Sequence, residues 1–173
     1  MKTLRWAMLV LAVAAGCGDK EDPVLKFVGL WKYVSGMPMV SCPGLPIAAA
    51  GMLPTLPLAM FSLERGMTSD LQGTLAGTKC VFLFDVKDKV ATARPNQMCS
   101  VMTGRPDIPS ATVFLTSWVI TAADAMTADS KFVAQVKVAV PLGMGGLVLP
   151  VTCDVTGTGN VQKAPPGDGG AAD

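Results

Sequence analysis

The chain has 173 residues, enough for one domain with a substantial core but too few for two domains of ordinary size. Half of the residues are hydrophobic and the formal net charge is +1, so nothing in the composition favours binding to nucleic acid. The chain contains no histidine, the commonest general base and zinc ligand, and we therefore expect a protein that is not an enzyme and has neither metal nor cofactor.

The first sixteen residues have the pattern of a signal peptide. Met1–Arg5 carries two basic residues, and Trp6–Ala15 is an apolar run too short to span a bilayer. The run ends in Ala14–Cys17 (AAGC), which resembles the lipobox of bacterial lipoproteins. The resemblance implies removal of residues 1–16 and acylation of Cys17, whose two or three chains would hold the protein firmly on a membrane. The alternative is an ordinary secretion signal followed by a cysteine by chance.

The residues after the cysteine bear on location. Gly18–Pro23 (GDKEDP) is expected to be a short polar tether, so residues 17–23 form the lipidated anchor. In Gram-negative lipoproteins an Asp directly after the cysteine favours the inner membrane. That position holds Gly18 here, and Asp19 follows it. The resemblance therefore implies a cell-envelope protein, with the outer membrane favoured. Without its signal peptide the chain has 12 basic and 13 acidic side chains, a net charge of −1.

The rest of the sequence is rich in strand patterns and has no convincing amphipathic helix. Strands are predicted over Phe27–Ser35, Leu58–Leu63, Asp70–Leu75, Cys80–Val86, Lys89–Arg94, Ala111–Thr121, Lys131–Val140 and Leu147–Thr156. About eight short strands predict a single all-β domain over residues 24–163, either an antiparallel barrel or an antiparallel sandwich. Residues 164–173 (APPGDGGAAD) have nothing to bury and are expected to form a disordered tail.

One long segment, from Tyr33 to Leu63, contains no charged side chain. Its five prolines exclude a continuous helix or a central strand. Long apolar loops need some form of burial, and three interpretations are open. The segment folds over the barrel as core, or it lines the mouth of an apolar cavity with flexible methionines, or it contacts lipid or a partner near the anchor.

Four cysteines remain besides the lipidated one. An even number in an exported chain predicts two disulfides. None of the four lies in a C-x-x-C pair, which argues against a metal site. Three pairings are open. We favour Cys80–Cys99, because a hairpin pattern with a turn at Lys87-Asp88 lies between them, and this pairing leaves Cys42–Cys153.

The start of the domain resembles a lipocalin. Val24–Tyr33 (VLKFVGLWKY) contains the G-x-W pattern at Gly29-Leu30-Trp31, where the family's first strand begins. The resemblance implies an eight-stranded up-and-down barrel whose lower end is closed by Trp31. In that family an arginine near the last strand covers the tryptophan, and the nearest basic residue here is Lys163.

Together with the lipobox and the lack of histidine, the G-x-W start, the all-β pattern and the apolar segment favour a membrane-tethered, non-enzymatic domain that binds a small apolar molecule or lipid. The side chains expected to line its cavity are Trp31, Phe82, Phe84, Phe114, Trp118, Phe132 and Val136. The alternative is a structural or interaction protein of the envelope with a packed core and no ligand.

Asp124 and Asp129 suggest calcium only weakly, because the D-x-D-x-D-G spacing is missing, and a solvated hairpin turn is favoured.

Overall fold

The structure is a computed structural model that describes residues 22–43, 58–103, 106, 108–141 and 148–165. In this part of the chain no helix is long and apolar enough to cross a membrane. A short 3-10 helix, Pro23–Lys26, is followed by ten strands: β1 Gly29–Tyr33, β2 Met39–Ser41, β3 Met60–Arg65, β4 Leu71–Leu75, β5 Val81–Lys87, β6 Val90–Ala93, β7 Gln97–Met102, β8 Ser110–Ala122, β9 Thr127–Pro141 and β10 Val148–Lys163.

Eight of the strands form a closed antiparallel barrel. Their order around the barrel is β1, β3, β4, β5, β6, β8, β9 and β10, and β10 pairs with β1 to close the ring. The two remaining strands lengthen its wall: β2 follows β1 along β10, and β7 follows β6 along β8. The predicted all-β, lipocalin-like barrel is confirmed, and the sandwich alternative is not adopted.

The strand predictions hold where hydrophobic and polar residues alternate, and they fail in four places. Strand β9 begins at Thr127, four residues before the predicted start at Lys131. Strand β10 continues to Lys163, beyond the predicted end at Thr156, because glycines at 157 and 159 interrupt its apolar pattern. Strands β2 and β7 were not predicted. Strand β2 is only three residues long with every side chain exposed, and β7 alternates weakly, with Val101 as its one fully buried residue.

The two glycines of β10 have a packing role. The connection between β1 and β2 crosses β10 so closely that a Cβ on Gly159 would lie 1.9 Å from the carbonyl oxygen of Ser35. A Cβ on Gly157 would lie 2.6 Å from the Cα of Pro38. Only glycine permits this approach of two backbones. The barrel wall therefore requires glycine at both positions.

Both disulfides join the predicted partners. Cys42 is bonded to Cys153, and Cys80 is bonded to Cys99. The first attaches the start of the uncharged segment to β10, and the second links the start of β5 to β7. Sequence separations of 111 and 19 residues correspond to losses of chain entropy worth nearly 5 and about 3 kcal/mol in the unfolded state.

The uncharged segment is described at its two ends. Met37 and Met39 are exposed, whereas Leu58, Phe61 and Leu63 are buried in the core. Residues 44–57 lie outside the described part, so the three interpretations of this segment stay predictions. The predicted signal peptide, the cysteine predicted to carry lipid and most of the predicted tail also lie outside it.

Candidate functional site: the barrel interior

An aromatic cluster fills the centre of the barrel around Trp118. The centroid of its ring lies 4.9 Å from that of Phe61, 5.1 Å from Phe132, 5.2 Å from Phe84 and 6.1 Å from Phe82. All four pairs meet in edge-to-face geometry, the arrangement that the ring quadrupoles favour. The five side chains come from β3, β5, β8 and β9, so the cluster joins opposite walls of the barrel.

One buried hydroxyl supplies the polar contacts of this cluster. The indole nitrogen of Trp118 donates to the Ser130 Oγ at 3.1 Å, and the Tyr33 hydroxyl lies 2.7 Å from the same oxygen. Burial raises the pKa of Tyr33, and its hydrogen bond to Ser130 opposes that shift. Every buried polar side-chain atom in the described residues has a hydrogen-bond partner. The interior formed by these described residues therefore offers no unpaired polar side chain that could orient a ligand.

The 3-10 helix closes one end of the barrel beneath Trp31. Asp22 caps the helix by accepting a 3.0 Å hydrogen bond from the Val24 amide. The indole nitrogen of Trp31 donates to the carbonyl of Phe27, directly after the helix, at 2.7 Å. The Lys163 ammonium lies 5.2 Å from the Trp31 ring, the place that the lipocalin resemblance assigns to an arginine. Partial burial there lowers the pKa of Lys163.

The structure does not bring together all seven side chains expected to line a cavity. The ring of Phe114 lies on the outer face of the barrel, where Lys137 Nζ is 4.7 Å from its centroid. Regular alternation would place Phe114 and Trp118 on the same face, but a β-bulge between Leu115 and Ser117 adds a residue and reverses the alternation. The other six are buried: Trp31, Phe82, Phe84, Trp118, Phe132 and Val136.

These inward side chains pack against one another. Trp31, Phe61, Phe82 and Phe84 have no accessible surface, so no water-sized space borders their rings. Phe61 and Ser130 belong to the same interior although sequence reasoning missed them. Phe61 could have been found, because it alternates with Leu63 in β3. Ser130 could also have been found, because it continues the inward alternation of Phe132 and Ala134 in β9. Away from the aromatic cluster the inner face is lined by smaller side chains, among them Ala111, Val113, Val136, Val138 and Val151.

Of the two acidic residues expected in the β8–β9 hairpin turn, Asp124 lies in the turn, whereas Asp129 belongs to strand β9. The Asp124 carboxylate accepts hydrogen bonds from the Met126 amide and from the amide and hydroxyl of Thr127, at 2.7 to 2.8 Å. The bond from the Thr127 hydroxyl contributes most to lowering the pKa of Asp124. Asp129 accepts from the Asn160 amide group at 2.8 Å. Among the described residues, no three acidic or cysteine side chains cluster in a way that could hold a metal ion.

Comparison with protein-family models, curated proteins and solved structures found no match to this chain. Its class is therefore given by the fold alone, a closed lipocalin-like antiparallel barrel of eight strands.

Proposed function

We propose that this chain is a lipoprotein of the cell envelope, held on the outer membrane by lipid on Cys17, whose barrel is a packed, non-enzymatic scaffold that works through its outer surface. The observation that carries this proposal is the aromatic packing around Trp118, which fills the place where a lipocalin-like protein would hold a ligand. The lack of histidine in the sequence supports a role without catalysis.

Two further features support the anchor. The lipobox resemblance at Ala14–Cys17 supplies the acylated residue. The disulfides Cys42–Cys153 and Cys80–Cys99 fit a chain that folds in an oxidising compartment outside the cytoplasm.

Labelling with radioactive palmitate in a Gram-negative host tests the anchor. We expect the wild-type chain and a matched Asp19→Ser control to carry the label and to fractionate with the outer membrane. We expect Cys17→Ser to carry none, because the acceptor thiol is gone. A labelled Cys17→Ser chain, or an unlabelled wild-type chain, would overturn the proposal of a lipoprotein.

A second candidate function is the binding of an apolar molecule at the barrel end away from the 3-10 helix. It is favoured by the small side chains Ala111, Val113 and Val138, which line that part of the inner face. Calorimetric titration with a long-chain fatty acid tests it, with Val136→Phe as the variant that adds a larger side chain to this part of the inner face. Binding by the wild type that is lost in Val136→Phe would favour this function. No heat of binding in either protein would support the packed scaffold.

A further inference from the structure

We propose that the barrel end bearing the 3-10 helix lies against the membrane, with the side chains of Leu25, Met67 and Met126 in the lipid headgroup region. This end, the helix end, consists of residues 23–26 and the turns 66–70, 88–89 and 123–126. The inference rests on the proposed lipid anchor and adds an orientation and a lipid-contacting surface to it.

The helix and the turns meet at one end of the molecule. Asp22 forms an ion pair with Arg65, the residue next to the 66–70 turn. At the other end of the helix, Lys26 lines a shallow cavity of about 260 Å³ with Lys89 and residues 122–125. The helix therefore crosses the end of the barrel from the β3–β4 turn to the β8–β9 turn. The Lys163 amide also donates to the Met126 carbonyl at 2.8 Å, which brings the last residue of β10 to the same end.

The tether is short compared with the barrel. Five residue steps separate Cys17 from Asp22, and a fully extended chain covers at most about 18 Å over that distance. Strand β10 has 16 residues, a length of about 50 Å at the usual rise per residue. With Cys17 at the membrane surface, the helix end is therefore the part of the barrel that must stay close to the lipid.

The side chains at this end suit the membrane interface. Met67 is 95% exposed at the tip of its turn, and Leu25 and Met126 are 53% and 46% exposed. Apolar side chains at turn tips gain by entering the headgroup region, which is the usual behaviour of interfacial anchors. Lys26 and Lys89 are offset by Asp88 and Asp124, so we expect this contact to depend little on the charge of the lipid.

The native methionines provide the test, because peroxide converts exposed methionine to the sulfoxide. Met102, 82% exposed, lies at the opposite end of the barrel and is the reference within the same molecule. The lipidated protein is reconstituted in vesicles of phosphatidylethanolamine and phosphatidylglycerol, and oxidation at each site is followed by peptide mass spectrometry. The control is a protein whose tether carries about twenty inserted Gly/Ser residues. We expect the ratio of the Met67 oxidation rate to the Met102 oxidation rate to be lower in the wild type than in this control, by about fivefold or more.

The outcomes separate this inference from the proposed anchor. Equal ratios in the two proteins, with acyl mass present on the Cys17 peptide, would overturn the contact and leave the lipoprotein proposal standing. Protection of Met102 together with Met67 would mean that the barrel lies on its side, which also overturns it. A Cys17 peptide without acyl mass would overturn both proposals.

Discussion

The hydroxyl groups of Tyr33 and Ser130 lie 2.7 Å apart inside the barrel, although 97 residues separate them in the chain. Tyr33 belongs to β1 and Ser130 to β9, and these strands are neighbours only through β10. Trp118 on β8 donates to the same Ser130 hydroxyl. This contact therefore depends on closure of the barrel, and it reports whether the first and last strands have met.

Tyr33 is the only tyrosine in the chain, so its ionisation can be followed by ultraviolet absorbance alone. Burial raises its pKa above the ordinary value. In the unfolded chain the Tyr33 phenol ionises at about pH 10, whereas in the folded chain it still keeps its proton at that pH. The contribution of Tyr33 to the free energy of unfolding is therefore present below pH 10 and is lost as the pH rises further. We expect the native tyrosine to titrate above pH 10 and Tyr33→Phe to lose less stability between pH 9 and pH 11 than the wild type. Titration of the native protein at the ordinary value would contradict this burial.

The inward and outward phenylalanines give a matched pair of variants. Phe82 has no accessible surface and packs on Trp118, so Phe82→Ala is expected to lower the free energy of unfolding by about 3 to 5 kcal/mol. Phe114 lies on the outer face, where Lys137 Nζ is 4.7 Å from its ring centroid, so Phe114→Ala is expected to cost only about 1 kcal/mol. Urea denaturation measures both. Equal losses of stability would mean that Phe114 is buried like Phe82, which would contradict the bulge that places Phe114 on the outer face.

The crossing of the β1–β2 connection over β10 predicts a sharp difference between neighbours. In Gly159→Ala the new methyl would meet the backbone of Ser35, which cannot move without disturbing the barrel wall. We expect a loss of about 3 kcal/mol or more in stability. Thr158→Ala, one residue away and exposed, is the control and should change stability by less than about 0.5 kcal/mol. If Gly159→Ala unfolds at the same urea concentration as the wild type, the two backbones do not lie this close.

The Cys80–Cys99 disulfide, which closes the shorter of the two loops, gives a quantitative test of the cysteine pairing. Replacing Cys80 and Cys99 together by serine opens a loop of 19 residues, with an expected loss of about 3 kcal/mol. The remaining Cys42–Cys153 bond should appear as one linked peptide in a non-reduced digest. Free thiols at either position, or a linked peptide joining Cys42 to Cys80 in the wild type, would show that the pairing is different.

Much of this fold could be predicted because its signals are local. In β5 and β9, hydrophobic and polar residues alternate because one side of the strand faces the core. The G-x-W pattern likewise places Trp31 on the side of β1 that faces the core. The position of Phe114 could not be predicted, because one inserted residue in β8 reverses the alternation and no residue type marks a bulge. The extension of β10 was missed because Gly157 and Gly159 serve a contact with a distant segment.

The functional site was harder to predict than the strands. Composition and alternation placed aromatic residues inside the barrel, but they cannot distinguish rings that surround a cavity from rings that contact one another. That difference depends on distances between strands far apart in sequence, such as those that bring both Phe61 and Phe132 into contact with Trp118. The family pattern expects an arginine over Trp31, and the structure places Lys163 there.

The proposed function depends on a barrel interior that is packed around Trp118 and leaves no room for a ligand. Native mass spectrometry of the protein purified from its own envelope without added lipid, before and after exposure to fatty acids, tests this claim most directly. We predict a mass equal to that of the mature chain with its acyl groups and two disulfides, unchanged by the added fatty acids. An additional apolar mass that survives purification would contradict the packed interior and favour a ligand-binding barrel.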